Sequence, residues 1–284
     1  MAFQWDDLQE RAWLAQLRAR RIETESKRTL AGSALHLDLA ARGDLSGIPP
    51  FESIPPGTVA FEFRAPGRTT GCADVYRFYG LLGLLLERDD RDGLMPDLDS
   101  TTGILIASRV SKRVLRNLAL GPEEVEAGVF ALTRLRPKIV LFAADRLVPG
   151  SRTASIILYH GTDRAVERLL RERPVEEWLG AVGRVYIYRR RVLDPALERR
   201  GIAMSKLQID VAEAVEFIGV KRVIDEVGIK RVVEEIGLER VLEAIGPGLR
   251  ANEDQLLKIL RDYVQERGVR SLDDLVDRAR RNEP

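Results

Sequence analysis

The stretch TVAFEFRAPGRTTGCADVYRFYG, residues 58–80, decides the reading of the chain. Over 58–64 the side chains alternate: Val59, Phe61 and Phe63 fall on one face, Glu62 and Arg64 on the other. That period of two marks a strand. Pro66 and Gly67 stop it. From 73 to 87 the spacing changes, and Val75, Phe78, Tyr79, Leu82 and Leu86 share one helical stripe. A strand, a tight stop and a helix predict an α/β unit, and the flanking sequence extends it in both directions.

Upstream, residues 6–21 carry Leu8, Trp13, Leu14 and Leu17 at helical spacing. ALHLDLA at 34–40 alternates, with His36 and Asp38 opposite the leucines, and a Gly/Pro-rich connection leads into residue 58. Downstream, 103–107 reads as an apolar strand, 110–119 as a helix, and 128–133 and 138–143 as strands. ASIILY at 154–159 reads as a strand, 163–172 as a helix and RVYIYRR at 184–190 as a last strand. The expected fold class is α/β: a mixed β-sheet flanked by helices over residues 1–195.

An all-α segment, 196–284, is expected to follow. Within it GVKRVIDEV, GIKRVVEEI and GLERVLEAI repeat every nine residues over 219–246. Nine residues turn a straight helix by 900°, so successive apolar stripes face opposite ways. Either the glycines break the segment into short packed turns, or one helix is buried on two sides. Both readings leave apolar surface for a partner, so 219–246 is expected to associate with protein, either another copy, giving a homo-oligomer, or the chain's own N-terminal domain.

The 284 residues are 45% hydrophobic and 31% charged, with a formal net charge of +1. That balance gives no global attraction to nucleic acid or anionic membrane, so such a site must be a local patch. One cysteine, Cys72, rules out an intramolecular disulfide. No basic-then-apolar leader or membrane-length apolar run is visible, and the expected location is the cytoplasm. Two histidines and one cysteine are too few for a Cys/His zinc centre, and no phosphate loop or nucleophile elbow occurs. His160 reads as a capping or surface histidine rather than a base.

Two constellations remain. Asp38 and Glu62 occupy the polar faces of two strands joined by a short connection, so their carboxylates can converge as hard oxygen ligands for Mg²⁺ or Mn²⁺. Arg64, two residues on, reaches the same phosphate. From alternation alone, scattered charges on a solvent-facing strand are the simpler explanation of the pattern. Arg109, Lys112, Arg113 and Arg116, at i, i+3, i+4 and i+7 of the expected 110–119 helix, would suit a phosphate backbone or be a solvated face.

Glu62, Phe63, Ala65, Pro66, Asp74, Tyr76, Arg77 and Tyr79, with Asp38 upstream, resemble an uncharacterised bacterial branch of the PD-(D/E)XK nuclease superfamily, over roughly residues 20–150. The resemblance implies a restriction-endonuclease-like fold and a metal-dependent DNA endonuclease, with Asp38, Glu62 and the Phe63 carbonyl as metal ligands and Asp38, Glu62 and Arg64 as catalytic residues. The family's lysine is Arg64 here. Arginine stays protonated and cannot act as a base, though it can stabilise charge on a phosphate. The alternative is a catalytically degenerate nuclease fold that binds protein or nucleic acid.

Overall fold

The computed structural model describes residues 5–29, 36–94 and 97–203, together with positions 206, 207, 209, 211, 215, 223 and 232. The chain begins with helix α1 (Trp5–Ala19) and strands β1 (Glu23–Thr29), β2 (His36–Gly43) and β3 (Gly57–Phe63). Next come the two-residue β4 (Thr69–Thr70), α2 (Cys72–Arg91), β5 (Thr101–Ala107), the two-residue β6 (Arg109–Val110) and a single turn, α3 (Lys112–Leu115). Strands β7 (Pro122–Glu126), β8 (Val129–Leu132) and β9 (Lys138–Ala143) follow, and then helices α4 (Ala154–His160), α5 (Asp163–Glu172) and α6 (Leu179–Arg199).

Seven strands form one sheet in the order β1-β2-β3-β5-β9-β8-β7. Its centre, β3-β5-β9, is parallel and its other pairs are antiparallel, while β4 and β6 pair parallel as a separate two-stranded sheet. The expected mixed sheet flanked by helices is therefore present. The carboxyl ends of β3, β5 and β9 and the start of β2 lie along one rim.

Both faces of β3 are covered, which the alternation of the sequence did not convey. Ala60 packs with Val75, Phe78, Leu81, Leu82 and Leu85 of α2 and with Leu105 and Leu141 of neighbouring strands. On the opposite face Phe61 lies edge-on to Phe51 with centroids 5.5 Å apart, and Phe51 also meets Trp13 at 5.0 Å and Phe142 at 5.5 Å. Phe51 reaches this cluster through a connection that is not a solvated loop. Leu45, Ile48, Phe51 and Ile54 are all buried. The amides of Ile48, Phe51 and Ile54 each donate to the carbonyl three residues earlier, so every third side chain turns inward.

Several expectations are corrected. ASIILYH is helix α4, not a strand: Ala154 and residues 156–160 are all buried, and a short all-apolar run has the same appearance in a buried helix and a buried strand. RVYIYRR lies within α6, whose backbone departs from helical geometry at Arg189 (φ −122°, ψ 20°). The 110–119 helix shrinks to one turn. The Asn117 carboxamide oxygen accepts the Ala119 amide at 3.0 Å, a local side-chain turn that competes with helix continuation. Strands β1 and β7 had no apolar alternation to announce them. β7 is a sheet edge, with Glu123, Glu124, Val125 and Glu126 exposed and a register shift between Glu124 and Glu126.

Contacts divide the chain into a larger unit, Ala2–Val185 with Arg189–Leu207, and a smaller one containing Gln208–Pro284. The nine-residue repeats, and the association expected of them, lie outside the described residues except at Val223 and Val232, nine positions apart, both helical and fully buried. Among the described residues no helix is long and apolar enough to cross a membrane.

The start of β3 is sterically exact. Gly57 has φ +153°, and a Cβ placed there would lie 2.0 Å from the Ser100 carbonyl oxygen, a backbone atom that cannot swing aside. Gly57→Ala should destabilise the fold by about 2 kcal/mol or more. Urea unfolding of the variant beside the parent checks this; an unchanged midpoint would contradict the geometry.

Candidate functional site

Extending the β2–β3 register one step beyond the Leu39–Phe61 pair sets Asp38 opposite Glu62, at the rim where the parallel strands end. Ligands of open α/β sheets bind along this rim. An Asp38 carboxylate oxygen accepts the Phe63 amide at 2.7 Å, so Asp38 ties β2 to the last residue of β3.

Glu62 is buried, with only 3% of its side chain exposed. Water cannot solvate its charge there, so the charge must be matched by neighbouring cations. Two guanidinium groups do this. Arg64 Nη1 stands 3.3 Å from Glu62 Oε1, and Arg77 Nη2 donates to the same oxygen from the first turns of α2. Arg64 is itself buried, whereas Arg77 remains half exposed. Arg64 Nη2 lies 3.3 Å from Asp74 Oδ1, at ion-pair distance but without hydrogen-bond alignment, and its Nε is buried with no acceptor among the described residues. The other Asp74 oxygen accepts the Gly71 amide at 2.9 Å and closes the amino-terminal end of α2. Asp74 and Arg77 are one helical turn apart on α2, and that spacing, directly after a strand ending in Glu62-x-Arg64, was the available signal that both join the cluster.

The ion-paired cluster therefore holds two carboxylates, Glu62 and Asp74, and two guanidinium groups, with Asp38 opposite Glu62 on the neighbouring strand. Its oxygen donors suit a hard cation chemically. The occupancy of Glu62 does not, because Arg64 and Arg77 already provide the charge that a metal would bring, and an ion would have to displace one of them. Among the described residues no group of three or more His, Cys, Asp or Glu side chains is arranged to hold a metal ion.

Behind the cluster lies a buried polar frame. After Arg64, whose amide continues the sheet by donating to the Ile106 carbonyl at 3.0 Å, the chain turns at Pro66–Gly67. The Gly67 amide donates to Ser108 Oγ at 2.7 Å, and that hydroxyl donates to the His160 carbonyl at 2.6 Å. The His160 ring is completely buried rather than on the surface. Its Nε2 accepts the Trp13 indole N–H at 3.1 Å, and its face lies 5.4 Å from the Phe63 ring. Burial, aided by the nearby Arg189 charge, pushes its pKa down to about 3.

The basic constellation is divided. Arg109 belongs to β6 and pairs with Asp145 at 3.2 Å. Lys112, Arg113 and Arg116 are exposed on and beside α3. Asn117, the residue after Arg116, donates its carboxamide N–H to the hydroxyl of the exposed Tyr76 at 3.3 Å.

Two outcomes follow from the buried groups. Arg64→Met and Glu62→Leu should each cost about 3 kcal/mol, since each removes a counter-charge from a buried ionised partner. The double variant should cost less than their sum by at least about 1 kcal/mol in an unfolding cycle; strict additivity would deny the pair. His160 has a folded-state pKa below its unfolded value near 6.5, so the unfolded chain takes up a proton first as pH falls. The stability this residue confers is complete above about pH 6.5 and is lost toward pH 3, at about 1.4 kcal/mol per pH unit. Urea unfolding of His160→Gln between pH 7 and 5 should show a shallower decline than the parent; parallel declines would refute the assignment.

Comparison of the chain with family models, with curated proteins and with solved structures finds no match.

Proposed function

We propose that this chain is a nuclease-like fold of PD-(D/E)XK type that binds nucleic acid without cutting it, Arg64 and Arg77 having taken over the charge-neutralising position of a metal. The observation that carries this reading is the pairing of buried Glu62 with both guanidinium groups. A glutamate so held is a structural counter-ion, and Arg64 cannot generate a nucleophile by losing its proton. The binding surface is the exposed set Lys112, Arg113 and Arg116, with the exposed Tyr76 tied to it through Asn117. Cations track a phosphate backbone, and an aromatic ring beside them gives a base a face to stack on.

A second reading, a metal-dependent DNA endonuclease with Asp38, Glu62 and the Phe63 carbonyl as ligands of Mg²⁺ or Mn²⁺, is favoured by the placement of Asp38 opposite Glu62 on the ligand-binding rim. Here Arg64 would stabilise charge on the phosphate.

One experiment separates them. Labelled DNA is titrated with the full chain by fluorescence anisotropy, and the same mixtures are incubated with Mn²⁺. The proposal expects salt-sensitive binding, weakened at least about tenfold by joint alanine substitution of Lys112, Arg113 and Arg116, and no cleavage by the parent or by Arg64→Lys. Manganese-dependent cleavage that vanishes in Glu62→Gln would establish the endonuclease reading instead. Absence of binding would dismiss the nucleic-acid role.

A further inference from the structure

A second assembly of charged groups lies along the same rim, beyond the ends of β5 and β9. A cleft of about 630 Å³ opens between β6, the turn after β9 and helix α5. That is ample for a nucleotide-sized ligand. Its lining is polar and dominated by arginine: Arg109, Arg164, Arg168 and Arg171, with Asp145 and Glu167 as the acids.

The two acids are not equivalent. Asp145 is committed to the protein. One of its oxygens accepts the Thr162 amide at 2.8 Å, and the other accepts the Thr162 hydroxyl at 2.9 Å and Arg109 Nε at 3.2 Å. Asp145 and Arg109 thus cancel. The remaining groups come from α5, where positions 164, 168 and 171 share one helical face with Glu167 between them. Three guanidinium groups face one carboxylate, which leaves two positive charges.

Those cations are held in different ways. Arg168 Nη2 is anchored by the Asp145 and Leu147 carbonyls, at 3.1 and 2.8 Å. Its Nε is buried and has no acceptor among the described residues. Arg164 is exposed, and neither Arg164 nor Arg171 forms an ion pair among the described residues.

We propose that this cleft binds a phosphate monoester. A monoester carries close to two negative charges at neutral pH and three strong acceptor oxygens, matching the excess charge and the fork geometry of arginine. An internal phosphodiester, with one charge, would leave half of the excess unmatched. The monoester has two sources with the same chemistry, the terminal phosphate of a nucleic-acid strand or a free mononucleotide. The site is separate from the Lys112–Arg116 surface and stands whether or not that surface binds DNA.

The test is calorimetric titration of the full chain with AMP and with adenosine, and then with a short single strand carrying either a 5′-phosphate or a 5′-hydroxyl. AMP should bind at least about tenfold more tightly than adenosine, and Arg164→Ala with Arg171→Ala should remove that advantage. Both substitutions act on one face of α5 without touching the fixed Asp145–Thr162 contacts, and unchanged circular dichroism verifies the fold. A matching advantage of the 5′-phosphorylated strand assigns the strand end as the source; an advantage confined to AMP assigns the mononucleotide. Equal binding of AMP and adenosine overturns the proposal, as does AMP binding unaffected by the α5 substitutions. The Lys112, Arg113 and Arg116 alanine variant should keep AMP binding, so failure of the nucleic-acid reading and failure of this one give different results.

Discussion

A carboxylate placed at the end of a strand buried on both faces must find its counter-charge inside the protein, and the rim of this sheet is organised around that demand. Glu62 leaves water because α2 covers one face of β3 and the Phe51–Phe61–Phe142 cluster fills the other. An isolated ionised carboxylate in such a place costs several kcal/mol. Arg64 must therefore fold back along its own strand, and Arg77 must reach in from the helix. Arg64 in turn draws Asp74, which also closes the first turn of α2. At the far end of the same helix, buried Asp89 pairs with Arg42 of β2 at 3.0 Å. Ion pairs thus fix the helix at both ends while leucines and a phenylalanine hold its middle.

The same rim presents guanidinium groups in two states. Around Glu62 they are matched, Arg64 enclosed and Arg77 half exposed, and their charge offsets carboxylates of the fold. Around Asp145 only Arg109 is matched, while the α5 arginines line an open cleft. Between the two runs the frame of Gly67, Ser108, His160 and Trp13, which joins the turn after β3 to the end of β5, to α4 and to α1. A frame made of neutral donors and acceptors is insensitive to salt, so it holds its geometry where the charged groups on either side respond to ionic strength.

The central strands and α2 were legible because their apolar positions keep a clear period: Val59, Phe61 and Phe63 in β3, Val75, Phe78 and Leu82 in α2. The pairing of Asp38 with Glu62 was legible for the same reason. What alternation cannot show is whether the second face is wet. Glu62 looked like a solvent-facing residue because no periodicity in β3 itself reveals a helix lying above it. β1 and β7 escaped because edge strands need no apolar stripe. ASIILYH misled because a uniformly apolar run has no period to read. The 110–119 helix misled because Asn117 ends it through a side-chain hydrogen bond that outweighs the helical spacing of the basic residues, and this sent Arg109 to Asp145 instead. The inward turns of Leu45, Ile48, Phe51 and Ile54 were visible as a period of three, masked by the prolines around them.

The edge strand β7 decides how copies of this sheet can meet. A bare edge offers unpaired amides and carbonyls to any passing strand, and two like edges in antiparallel contact would join two copies into one continuous sheet. Here Glu123 and Glu126 are exposed on that edge strand, while Glu124 is tied to Arg146 and to the Gly128 amide, so a second copy would set acid against acid at the first two, and the register shift between Glu124 and Glu126 breaks the regular spacing a continuous ladder requires. The two exposed glutamates therefore act as a terminator: they end the sheet at its seventh strand and oppose the pairing of two copies through β7.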